Sequence, residues 1–287
     1  MFASLAGVLF DGFAYGMLLF LLSVGLSVTL GMMNFVNLAH CSFAMIGGYI
    51  TVSLANRYGW PFLATLPAAF LGAGAVAVLL ERTLYRRLYR ASDLDQCLLT
   101  IGIVFISVAA YAWFYGTVVQ STPMPSYLRG SVPFLGMSFA AYRLFLIIMG
   151  LAVAALLILL LEATRFGARV RAAVDNQKMA RGLGIDVERA FMITFALGGG
   201  LAGLGGALAI EMVGLDHAFA LNYLVYVLIV VAVGGLGSIG GSFAAAIVLG
   251  VSDMAGKYYF PWLGAFLIYL VMVALLMWRP VGLFGKR

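Results

Sequence analysis

Followed from end to end, the chain is a series of long apolar stretches broken by short polar ones. The first apolar run covers about residues 5–33, more than one helical crossing of a bilayer needs. A polar knot, Asn34-Phe35-Val36-Asn37-Leu38-Ala39-His40, stops it, and apolar sequence resumes from Cys41 to about Leu54. After a turn rich in interface aromatics, Pro61 is placed to open the next span, 62–80. Further apolar stretches occupy about 97–119, 142–161, 190–212 and 262–278. Between the last two lie two unusually short ones, 223–233 and 243–251, separated by GGLGSIGG at 234–241.

Composition fixes the class. Of 287 residues, 64% are hydrophobic and 10% charged, and the mean hydropathy is +1.08. Soluble domains carry about 25% charged residues. The chain therefore reads as an all-α polytopic membrane protein. At about 20 residues per crossing there is room for roughly seven to ten, and the pattern parses into about eight or nine apolar segments, some short or interrupted. Residues 1–287 read as a single transmembrane domain, with almost nothing left for a soluble one. The N-terminus lacks a basic n-region and a small-residue cleavage site, so it does not read as a removable signal peptide. Cys41 and Cys97 lie far apart and outline neither a disulfide framework nor a metal site.

Charge supplies the topology. The net charge is +6, and thirteen of the 17 Lys and Arg fall in three segments: 81–96, 164–189 and the C-terminal tail. Under the positive-inside rule these face the cytoplasm, which puts the N-terminus outside and the C-terminus inside. The basic residues follow topology and carry no sign of nucleic-acid binding. Gln120 to Ala141, with Pro123, Pro125 and Pro133, reads as an external loop. Glu211, Asp216, His217 and Asn222 gather at the outer end of a span, as a solvated cap, an entrance or a contact for an external partner.

The longest polar interruption is the cytoplasmic loop at about 162–190, whose core is TRFGARVRAAVDNQKMARGLGIDVER. Gly167 opens a short helix running through Val174. Asp175 or Asn176 can cap a second, Gln177 to Leu183, which Gly184 can end in the left-handed conformation. Met179, Leu183 and Ile185 give that second helix an apolar side. Two readings stand: a solvated connection, or a docking helix offered to a soluble partner.

Two further interruptions sit at corresponding places in the two halves, the polar knot in front and the glycine loop with Ser238 behind. Irregular backbone at membrane depth survives only where protein or a watery cavity satisfies it, and paired interruptions point to a transport pathway. On a helix, Asn34, Asn37 and His40 would share one face, turned either to a pathway or to a neighbouring helix as hydrogen-bonding glue. The glycines of 234–241 lack the Gly-Lys-Ser/Thr ending of a nucleotide loop and fit close packing or a re-entrant turn. Gly198 to Gly206 reads as a small-residue packing face. A membrane-embedded enzyme would call for paired carboxylates or a metal set, which two isolated histidines do not supply. A stand-alone secondary transporter or channel for a small polar solute would rest on Asp11 and Asp253, both near segment ends.

Three motifs together carry a family resemblance over nearly the whole chain. GLSVTLGMMNFVNLAHCSFAMIGGY (25–49), GARVRAAVDNQKMARGLGIDVERAFMITFALGGGLAGLGGAL (167–208) and VGGLGSIGGSFAAAIVLG (233–250), with the ending WRPVGLFGKR, resemble the branched-chain amino-acid ABC transporter permease family of the LivH type. The resemblance implies a non-enzymatic permease subunit in a bacterial inner membrane, moving substrate by ATP-driven alternating access. It implies a second permease (LivM-like, or a second copy), two ATPase subunits that bind the ATP, and a periplasmic substrate-binding protein. The loop then becomes the coupling element, with Gly167, Asn176, Met179, Ala180, Gly184 and Ile185 at the ATPase contact, and Asn34, Asn37, His40 and Ser238 belong to the substrate pathway. Family members commonly have Gly at the position of Cys41, and often an acid at that of Ser42. This departure leaves the substrate open between branched-chain amino acids and the urea, short amides or aromatic acids of related permeases.

Overall fold

A computed structural model describes residues 2–33, 35–89, 91–134 and 137–285. In chain order the elements are α1 (Phe2–Met33), α2 (His40–Tyr58), α3 (Phe62–Leu80), a π-helical turn (Glu81–Tyr85) and α4 (Arg86–Leu88). There follow α5 (Asp93–Tyr115), α6 (Ser126–Arg129), β1 (Ser131–Phe134), β2 (Met137–Ala140) and α7 (Ala141–Glu162). The remainder is α8 (Arg165–Asp175), α9 (Gln177–Gly182), α10 (Val187–Val213), α11 (Phe219–Gly234), α12 (Ile239–Tyr259) and α13 (Gly264–Trp278). Among the described residues six helices are long and apolar enough to cross a membrane: α1, α3 with its continuation to Leu88, α5, α7, α10 and α12.

The apolar helices are not equivalent. Within their apolar windows α1 is 89% buried and α10 78%, whereas α5 is only 11% buried. α1 and α10 form the centre, α2 and α3 flank α10, and α12 lies along α1. In lipid no hydrophobic force pulls one helix to another, so the bundle must hold by close van der Waals packing and internal hydrogen bonds. Glycine supplies the closeness. A Cβ on Gly25 of α1 would strike the Gly198 carbonyl of α10, and one on Gly47 of α2 would strike the Gly203 backbone. Gly206 meets Ala44 in the same way, and Gly16 meets the α12 backbone at Ala246 and Ile247. The small residues of 198–206 are thus a packing face shared by α1, α2 and α3.

The glycine loop behaves differently from a re-entrant break. The short apolar pieces expected at 223–233 and 243–251 belong to a 16-residue α11 and a 21-residue α12, antiparallel and joined by a tight turn. Asn222, Ser242, Asp253 and Lys257 dilute their apolar character, which is why the sequence pattern shortens them. Gly235 and Gly237 take φ of +94° and +79° in the turn, and Ser238 caps α12 by accepting the Gly241 N–H at 3.0 Å. The turn lies at the end of the bundle that carries α8, with Gly237 against Gly31 near the C-terminus of α1. The chain's last described residues fold under it. The Leu283 and Phe284 N–H groups donate to the carbonyls of Val233 and Gly234, at 2.7 and 3.2 Å, closing the open end of α11.

The segment read as an external loop carries order of its own. β1 and β2 pair as an antiparallel hairpin with Ser131 opposite Ala140, and Phe139 packs on Phe10 of α1 at 4.5 Å between ring centres. The Gln120 N–H donates to the Leu215 carbonyl at 2.7 Å, pinning this region to the α10–α11 corner.

Overpacking should expose the role of the glycines. Gly47→Val is expected to cost about 1–3 kcal/mol or more, seen as a lower melting temperature in detergent. Gly102→Val on α5, where a Cβ meets nothing within 4 Å, should melt like the unaltered protein. Equal melting of the two variants would refute the packing-face assignment.

Candidate functional site

The polar knot does break the helix. Residues 35–37 are non-helical, Leu38 and Ala39 form a turn, and α2 starts at His40. The helical face expected of Asn34, Asn37 and His40 is therefore not formed, and Asn34 lies outside the described residues. An extended stretch beside apolar helices must find partners for its own amides, and α5 provides them. The Val36 N–H donates to Gln96 Oε1 at 3.0 Å and the Leu38 N–H to Thr100 Oγ1 at 3.2 Å. The Ala39 N–H donates to Asn37 Oδ1 at 3.1 Å. One turn higher, Ser42 and Ser107 share a hydroxyl hydrogen bond of 2.8 Å.

Asn37 and His40 come together in the interior, each 1% exposed. His40 Nε2 lies 3.1 Å from the Leu22 carbonyl of α1. A carbonyl only accepts, so Nε2 carries the proton. Asn37 Nδ2 finds no partner among the described residues. Ser238 is brought to neither. It lines a cavity of about 640 Å³ at the α8 end of the bundle, with Gly31, Arg171 and Phe284.

Phe35 anchors the unwound stretch from below. Its ring meets Tyr85, Tyr89 and Phe195 at 5.2, 5.8 and 5.8 Å, and Tyr89 meets Phe191 at the base of α10 at 5.8 Å. The π-helical turn brings buried Glu81 inward, where it accepts the Tyr89 hydroxyl at 2.8 Å. Burial, then the hydrogen bond and charge of Glu81, push the Tyr89 phenol well above its ordinary range, so it remains a donor.

α8 and α9 form a bent pair on this base. Thr164 caps α8 by accepting the Gly167 N–H at 3.3 Å, so the helix begins at Arg165, two residues before Gly167. A Cβ at Gly167 would run into the Leu161 backbone, so this glycine serves the sharp turn from α7. Asn176 ends α8 and caps α9, accepting the Met179 N–H at 3.0 Å. Gly184, at φ +79°, closes α9 with the Ile185 N–H on the Ala180 carbonyl and its own N–H on Arg181, both 3.0 Å. Val170, Ala173 and Ala180 are buried against Val187, Ala190 and Phe191 of α10, with half-buried Ile185 and Met33 at the edge. Met179 and Leu183 point outward, 66% and 79% exposed. Of the residues singled out in this loop, Asn176, Met179 and Gly184 are thus exposed, while Gly167 and Ala180 are buried.

The opposite end holds a second cavity, of about 400 Å³, bounded by Asp216, Phe219, Asn222, Tyr223, Tyr226 and Tyr269. Behind these tyrosines Asp253 is fully buried and pairs with Lys257 at 2.5 Å. Lys257 also lies 5.4 Å from the centre of the Tyr15 ring. Asp11 pairs with Arg143 of α7. Reading the sequence alone did not single out Gln96 and Thr100, which hold the unwound backbone, nor the cavity tyrosines. Only the i, i+3 spacing of Tyr223 and Tyr226 on one helix face hinted at the latter.

A family model described as "Branched-chain amino acid transport system / permease component" matches residues 8–276. A probable branched-chain amino acid transport permease protein LivH from Methanocaldococcus jannaschii is 30% identical, over 94% of this chain and 90% of its own. The high-affinity branched-chain amino acid transport system permease protein LivH of Escherichia coli K12 is 24% identical, over 97% of this chain and 94% of its own. The LivM permease protein of the same organism is 26% identical, over 93% of this chain and 68% of its own. No solved structure matches.

The unwound stretch gives a direct test. Gln96→Leu strips the Val36 N–H of its acceptor, which should cost about 1–3 kcal/mol. Amide hydrogen exchange at residues 35–39 is expected to quicken markedly. Unchanged exchange there would mean that α5 does not hold this segment.

Proposed function

The chain belongs to the branched-chain amino acid transport permease family, and on that premise we propose that its bent pair α8–α9 is the part through which a separate ATPase drives it. The protein is a multi-pass membrane permease component. The observation that carries the coupling reading is the exposed apolar pair Met179 and Leu183, beside Lys178 and Arg181, on two helices whose other face, Val170, Ala173 and Ala180, packs on α10. An apolar knob ringed by cations suits a cleft with an apolar floor and acidic rim on a soluble partner.

The rest of the assembly follows the family. A LivM-like permease or a second copy would complete the membrane passage, two ATPase subunits would bind and hydrolyse ATP, and a periplasmic binding protein would deliver the substrate. Branched-chain amino acids are the cargo proposed, from the relatives' names. The setting is a bacterial inner membrane with the N-terminus outside and the C-terminus inside. Arg82, Arg86, Arg87, Arg279 and the six basic residues of the loop then share the cytoplasmic end.

In this reading a push or pull on α9 moves Ala180 and Ile185 against the base of α10. From there it reaches Phe191 and Tyr89, and through Phe35 the unwound stretch with Asn37 and His40. These rings form a continuous physical contact, and an element that lacks helical hydrogen bonds is a suitable place for two conformations to interconvert. The ATPase must bind the two conformations of α8–α9 with different strength, since only differential affinity shifts an equilibrium. Asp11 and Asp253 each face a cation of the same chain, which weighs against ion coupling by a lone secondary transporter.

Gly184→Val forces a branched residue into the left-handed region, at a cost of about 1–3 kcal/mol, and so disorders the end of α9. With the variant present in the membrane at the normal level, leucine uptake in cells or proteoliposomes holding the full transporter should fall at least about tenfold for each 1.4 kcal/mol of lost coupling. ATP hydrolysis by the partner subunits should persist. Uptake at the unaltered rate would remove α9 from the coupling role.

A further inference from the structure

The cavity away from α8–α9 is unlike a simple solvated cap. Its volume, about 400 Å³, falls in the range of small-molecule pockets. Its chemistry is mixed in a particular way. Asp216 places one carboxylate at the rim, and among the described residues no Lys, Arg or His forms an ion pair with it. Lys257, which lies beside the Tyr15 ring, is already committed to Asp253. Tyr223 and Tyr226 follow one another along α11 with ring centres 5.8 Å apart, and Tyr269 of α13 lies 6.3 Å beyond. Phe219 stacks on Tyr223 at 4.5 Å, which fixes that ring's plane. Asn222 adds an amide to the same wall.

An unpaired carboxylate beside aromatic faces is the combination that receives an alkylammonium group, by charge and by attraction to the ring faces. Tyrosine hydroxyls and the Asn222 amide are donors that can receive a carboxylate, and Val119 and Val213 with the ring bodies offer apolar surface for a branched hydrocarbon side chain. We propose that this vestibule is a relay site for the zwitterionic head of an apolar α-amino acid, occupied after release from the delivering protein and before passage along the permease. The proposal rests on the importer reading and deepens it by assigning the substrate's ammonium to Asp216. The Gln120–Leu215 backbone hydrogen bond holds the corner on which Asp216 sits, so the carboxylate is presented from a fixed edge.

The test uses the complete transporter in proteoliposomes with its binding protein, ATP inside and radiolabelled L-leucine outside. The quantity read is leucine moved per ATP hydrolysed. Asp216→Asn keeps the size and removes the charge, and is expected to lower that ratio about tenfold, the worth of one charged contact. Asp216→Glu should restore most of it, and Tyr226→Leu should lower it several-fold. If Asp216 instead grips a lysine of the binding protein, Asp216→Asn will raise the binding-protein concentration needed to stimulate hydrolysis and leave leucine per ATP unchanged. That result would overturn the relay site. Failure of the unaltered transporter to move leucine would overturn the importer reading itself, a separate outcome read in the control.

Discussion

α1 and α10 touch so closely at Gly25 and Gly198 that neither position has room for a Cβ, and the other helices arrange themselves around that contact. Two helices in hydrocarbon gain little by merely adjoining, since lipid tails are as apolar as leucine. Contact of backbones changes the balance, because many weak dispersion contacts form at once and no side-chain freedom is lost in making them. The same device recurs outward from the centre, at Gly47 with Gly203, Gly206 with Ala44, and Gly16 with α12. Buried hydroxyls supplement it. Ser27 and Ser242 join α1 to α12 by a 2.5 Å hydrogen bond, and Thr194 and Thr29 return theirs to carbonyls of their own helices.

Such a rigid centre gives the unwound stretch its meaning. Against that close-packed pair, residues 35–39 are held differently, the Val36 and Leu38 amides being satisfied by side chains of α5, Gln96 and Thr100. α5 itself is scarcely buried and has few neighbours to constrain it. The broken stretch that it supports rests through Phe35 on the aromatic stack above α8–α9. The closed ends of the bundle differ from it: the α11–α12 turn is strapped by the tail, and the α10–α11 corner by Gln120.

Much of this was legible in the residues. Apolar runs gave the membrane class, and the caps Asn176 and Gly184 gave α9 with its ends, since capping depends on a local side-chain-to-backbone geometry that sequence spacing encodes. The break at the polar knot was legible too, but its shape was not. Side-chain spacing presumes a helix, and the backbone there instead found acceptors on Gln96 and Thr100, some sixty residues distant. Of the short pieces around the glycine turn, α11 is indeed short, while α12 runs longer than its apolar core because Asp253, buried within it, is paired with half-exposed Lys257 one turn on. The vestibule was hidden for a similar reason, being assembled from α11, α13 and a corner that only the folded chain brings together.

The deep burial of α1 also bears on how the protein is made. α1 has the greatest need of company, and its chief partners, α10 and α12, are encoded about 150 residues or more downstream of it. At roughly 5–20 residues per second of synthesis, α1 waits in the bilayer for about 8–30 s with Ser23, Ser27 and Thr29 facing lipid or a temporary host. Its self-bonded hydroxyls, Ser23 to the Phe20 carbonyl and Thr29 to Gly25, make that wait tolerable. Assembly of this permease is therefore completed only when α10 and α12 reach α1, and its nascent form needs an insertion machinery that can shelter an early helix until the late ones arrive.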